Sequence, residues 1–178
     1  MWFCEGSKVD WTAIAACIAL TIWLIDKFQR ARERAASAKL LAQIMISSIA
    51  TAQGELSKFR STVVPANGDE SFLINIRRTQ EARRCLASKA ALLSVDLPSQ
   101  FLDKADFFNE SLSKTLANAF FQVSHLKNFC KLLGDISDTA HESEVDEHLM
   151  AVLKQIKETE TAINDAFNVL RHAGTSSA

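Results

Sequence analysis

Three side chains with metal-ligating chemistry stand close together in the last quarter of the chain: His141, Glu144 and His148. At about 100° per residue on a helix, Glu144 lies about 60° and His148 about 20° around the axis from His141, so one face carries all three. Two imidazoles and a carboxylate, one and two turns apart, suit a borderline divalent ion. Metal centres between helices usually take ligands from several of them, often as Glu-x-x-His, and this sequence has no clear second half-site. The competing reading is the acidic, solvated first turn of a helix, where Asp138, Glu142, Asp146 and Glu147 also stand. The spacing therefore assigns no metal, and nothing else in the chain calls for a cofactor.

A second cluster is Arg77, Arg78, Arg83 and Arg84. It reads either as a basic patch for an anionic group or as an exposed face whose arginines pair with Glu81 within one helix, each pair worth about 0.2–0.5 kcal/mol. No Gly-rich phosphate loop or aromatic platform accompanies it, which favours the exposed face. Asp103, Asp106 and Glu110 share a helix face with Lys114 one turn on, the pattern of a solvated surface and not of an acid–base pair. His125 stands alone among packing residues. The four cysteines, Cys4, Cys17, Cys85 and Cys130, form no C-x-x-C pair, and Cys85 and Cys130 are expected as small core residues of a reduced protein. No Ser-His-Asp order, kinase signature or zinc-protease motif is found, and the chain is expected not to be an enzyme.

The elements that position these groups begin with fifteen uncharged residues, Trp11 to Ile25, bounded by Asp10 and Asp26. A soluble helix keeps a polar face; this stretch has none. Its rise of about 22 Å is short of a hydrocarbon core of roughly 30 Å. Snorkelling by Lys27, and Trp11 and Trp23 at the two ends, ease that mismatch. One lysine precedes the stretch, whereas Lys27, Arg30, Arg32 and Arg34 follow it. The positive-inside rule then predicts a single-pass signal anchor in the cell inner membrane, N-terminus out and the remaining chain cytoplasmic. The basic flank also touches anionic headgroups, at ~1 kcal/mol per residue. A cleaved signal peptide fits poorly, because the charges follow the apolar run.

Twenty basic against twenty-one acidic residues give a net charge of −1, which argues against a nucleic-acid partner. Five Gly and two Pro in 178 residues favour long helices. Phe28, Ala31, Ala35, Ala38, Ala42, Met45, Ile49, Ala52, Leu56 and Phe59 recur at spacings of three and four, a coiled-coil-like seven-residue repeat that carries the first helix from the anchor to Thr62–Glu70. A second helix is predicted from Asp69 to Val95. A third runs from Asp96-Leu97-Pro98 to Leu133 with Gly134 as a left-handed cap. A fourth starts at Ser137–Thr139 with a Thr139/Glu142 capping box and ends at Gly174. The predicted fold is all-α: a tail at 1–10, a transmembrane anchor at 11–26, an antiparallel four-helix bundle at 27–174 and a frayed tail at 175–178.

This layout resembles small bacterial single-pass proteins with a cytoplasmic helical tail. The resemblance rests on the anchor and its basic flank alone and implies no activity. The expected function is a membrane-anchored, non-enzymatic helical scaffold, adaptor or regulator acting on an unidentified protein partner. Small residues at Thr12, Ala15, Ala16 and Ala19 favour self-association in the bilayer. The alternative is a membrane-acting effector, such as a toxin or phage-defence component, whose anchors associate.

Overall fold

A computed structural model describes residues 11–65, 70–96 and 108–175, and these residues are helical without any strand. Five helices are described: α1 Trp11–Val63, α2 Ser71–Arg78, α3 Gln80–Ala91, α4 Glu110–Asp135 and α5 Glu142–Thr175. Two compact units meet between Ser37 and Ala38, so α1 contributes to both.

In the first unit α1 is a helix whose described side chains are exposed as far as Ala36. The apolar ones include Ile18, Leu20, Ile22, Trp23, Ile25 and Phe28. The unbroken helix follows from the lack of Pro and Gly between Trp11 and Gln53, and Gly54 itself lies inside it.

In the second unit the seven-residue repeat becomes a core face. Ala42, Met45, Ile49, Ala52, Leu56, Phe59 and Val63 are all buried. They share one core with Leu86 and Ala90 of α3, with Leu112 through Leu133 of α4, and with Val145 through Leu170 of α5. Within this unit α1 runs antiparallel to α5: Gln53 Nε2 donates to Asn164 Oδ1 at 2.7 Å, and one turn to two turns on, Arg60 Nη1 meets Glu160 at 3.0 Å. Residues 122 and 125 of α4 meet 155 and 159 of α5, while the end of α4 at Gly134 lies against α3 at Arg83 and Ala87.

The structure corrects four details of the sequence reading. The second helix is two, because Thr79 turns extended (φ −130°, ψ 132°) and its hydroxyl oxygen accepts from Ala82 N–H to start α3 afresh. Gly134 is no left-handed cap. It lies inside α4, where a Cβ would come within 3.0 Å of Ala87 Cβ and 3.4 Å of the Arg83 carbonyl oxygen; the glycine lets α3 and α4 approach. The capping box does not form: the Thr139 hydroxyl bonds to that of Ser137, and α5 starts at Glu142, beyond His141. Cys85 faces solvent, because it lies off the row of Arg83, Leu86 and Ala90 by which α3 enters the core. The predicted start of the third helix falls on 97–107, outside the described residues; the described part opens at Glu110, where Asn109 Oδ1 accepts from Leu112 N–H at 2.8 Å.

Candidate functional site

The predicted anchor residues all lie on α1. Trp11 opens the helix, and its side chain falls outside the described ones. Trp23 is 57% exposed, and the Lys27 ammonium sits 4.8 Å from its ring centroid, one turn on. A cation over an aromatic face is worth ~0.5–1 kcal/mol at an exposed site and holds both side chains at one level of the helix. Arg30 pairs with Asp26 at 3.0 Å in the i, i+4 relation, which neutralises both. Arg32 and Arg34 are exposed and take no ion pair among the described residues. Within the apolar stretch, Thr21 Oγ1 donates to the Cys17 carbonyl at 2.7 Å, so its hydroxyl proton is held by its own helix. Ile14, Cys17, Ile18, Thr21 and Ile22 line a shallow apolar groove of about 420 Å³ along one side.

The weak metal candidate does not assemble. Among the described residues no three His, Cys, Asp or Glu side chains gather around a common point. His141 precedes α5, and His148 Nδ1 lies 3.0 Å from the Glu144 carbonyl of its own helix. Burial pushes the Cys130 thiol up to about 12, which leaves it protonated and a poor nucleophile at neutral pH.

The four arginines are split by the fold. Arg77 Nε donates to Asp146 across to α5 at 2.7 Å, so its partner is not Glu81. Arg83 is only 1% exposed. Its Nη1 donates to the Ile76 carbonyl at 3.0 Å and the Arg77 carbonyl at 3.2 Å, the last carbonyls of α2, left open by the turn at Thr79. Its Nε and Nη2 donate to the Ile136 carbonyl just past α4, at 3.3 and 3.1 Å. Nη2 also reaches Asp138 Oδ1 at 2.9 Å, and that oxygen accepts the Gln80 N–H that opens α3. One guanidinium thus closes two helix C-termini, while Asp138 caps a third helix's start. With its donors committed to the protein, Arg83 has no part in a surface patch.

A second buried polar cluster joins α4 to α5. Gln155, 3% exposed, donates from Nε2 to Gln122 Oε1, and its Oε1 lies 3.3 Å from His125 Nδ1. The Thr159 hydroxyl lies 2.7 Å from the Gln155 carbonyl and 3.2 Å from that of Gln122. The His125 ring stacks on Phe121 and meets Phe129 edge-on, as a packing residue would. Sequence reasoning missed Arg83 and Gln155 as organising residues; the available signal was a long polar side chain inside an otherwise apolar row.

Among the described residues the protein is all-helical, with one helix near the N-terminus long and apolar enough to cross a membrane. No protein-family model matches the chain, and no curated protein or solved structure is detectably similar to it.

Proposed function

We propose that the chain is a single-pass, membrane-tethered adaptor. Residues 11–26 of α1 span the bilayer N-out, and the helical unit that begins at Ala38 engages a partner at the cytoplasmic face without catalysis. The observation that carries this reading is the exposure of the N-terminal apolar helix all round its circumference. Ile18, Leu20, Ile22, Trp23 and Ile25 project in different directions, and each is more than half exposed. A core helix buries at least one side. Fully burying one such side chain is worth ~1.5–3 kcal/mol, and lipid offers that burial to all of them. The cationic flank supports the orientation.

Carbonate extraction of membranes and labelling of Cys4 from either side test the reading together. The chain is expected in the carbonate-resistant pellet, with Cys4 reached by an impermeant maleimide from outside. Release of the chain by carbonate refutes the tether; labelling from the cytoplasmic side alone refutes the orientation.

A further inference from the structure

We infer that the stretch of α1 just after the apolar segment docks a partner helix whose apolar seam is flanked by carboxylates. The seam on this chain is Phe28, Ala31 and Ala35, in line with Leu24 at the end of the apolar segment. It keeps the seven-residue register that the second unit buries from Ala42 to Val63, but here it is bare: Phe28 is 67% exposed, and Ala31 and Ala35 are exposed as well. A lipid surface asks for an apolar face but for no register. A sustained 3-4 spacing is what a second helix requires, and alanines in the seam let its backbone come close.

The charges choose the occupant. In heptad terms Phe28 and Ala35 are a positions and Leu24 and Ala31 are d positions. Lys27 and Arg34 then fall on g and Arg32 on e, so every charged residue flanking the seam between Leu24 and Ala35 is basic. The acids Asp26 and Glu33 both fall on f, opposite the seam. A second copy laid parallel would set Lys27 against Arg32 of its neighbour, and like charges at these positions disfavour pairing. Arg30, at c, is already neutralised by Asp26, whereas Arg32 and Arg34 have no ion pair among the described residues. A helix with Glu or Asp at its own e and g positions meets the charges left open.

The inference rests on the adaptor reading and gives its partner a chemistry. The test uses the full chain in phosphatidylcholine nanodiscs. Two fluorescent peptides of four heptads share an Ala/Leu seam, one with Glu and one with Lys at e and g. The Glu peptide is expected to bind at least tenfold more tightly. Phe28→Ser is expected to weaken it about tenfold, and K27E/R32E/R34E to exchange the preference for the Lys peptide. These side chains are exposed, so helicity of the variants should be unchanged. Equal binding of both peptides, or binding indifferent to Phe28→Ser, overturns the inference. So does disulfide formation between copies through Ala31→Cys with Cys4, Cys17 and Cys85 changed to Ser, which would make a second copy the occupant. Loss of peptide binding when phosphatidylserine is added would make it the lipid surface. The peptide assay also runs in detergent micelles, so a failed tether leaves the docking result readable.

Discussion

Replacing Arg83 by Met keeps the apolar stem of the side chain and removes its donors. The guanidinium makes five hydrogen bonds, to the carbonyls of Ile76, Arg77 and Ile136 and to Asp138. The charge lost opposite Asp138 costs little, since that carboxylate is 58% exposed and stays solvated. The carbonyls cost more. Each buried acceptor left open is worth ~1–3 kcal/mol; Ile76 O carries the whole penalty, and the partly buried carbonyls of Arg77 and Ile136 carry part of it. The sum is about 3–5 kcal/mol, a large fraction of the ~5–15 kcal/mol that holds a domain together. Asp138→Asn retains an oxygen for the Gln80 N–H and should cost below ~1 kcal/mol, as exposed pairs do. Urea unfolding of the full chain in detergent micelles, followed by circular dichroism at 222 nm, measures both. If Asp138→Asn costs as much as Arg83→Met, the ion pair and not the carbonyl capping holds the junction. If Arg83→Met costs under ~1 kcal/mol, the open carbonyls find water and the capping argument fails.

Gly54→Ala should stabilise by ~0.5–1 kcal/mol, because a Cβ there meets nothing within 4 Å. Gly134→Ala should destabilise despite the same gain in helix propensity, since overpacking against the α3 backbone costs ~1–3 kcal/mol; thermal melts of the two variants should move in opposite directions. Cys130 should resist alkylation at pH 8 and react only on unfolding, while Cys85 reacts at once. The Cys130 thiol, raised to about 12 from 9.0 by burial, contributes stability that is present below pH 9 and lost as pH rises towards 12. The stability difference between the native chain and Cys130→Ala should therefore fall by about 1.4 kcal/mol per pH unit above 9, measured by urea titration. Thr159→Val, close in shape but without the hydroxyl, should cost ~1 kcal/mol in the same titration by removing a hydrogen bond at the α4–α5 contact.

The core faces of α1, α4 and α5 could be read from the sequence because each obeys a period that depends only on near neighbours. Val145, Leu149, Val152, Ile156, Thr159, Ile163, Ala166 and Leu170 repeat at three and four, and all are buried. What escaped the reading depends on residues far apart in the chain. Thr79 is tolerable in a helix, and nothing within a turn of it demands a break. The break is stable because Arg83 can close the carbonyls it opens, and Arg83 can be buried because Ile136 and Asp138, more than fifty residues on, accept its remaining donors. Gly134 follows the same logic. A glycine next to the last apolar residue of a repeat resembles a terminus, and only the approach of α3 at Arg83 and Ala87 shows why it belongs inside. The arginine buried at the start of α3 and the glycine that seems to end the third predicted helix are two sides of one contact. Arg83 brings the first turns of α3 against the end of α4, and Gly134 gives them room. Periodicity places side chains on faces; the order in which faces meet is set by the few polar residues that cannot be buried without one another.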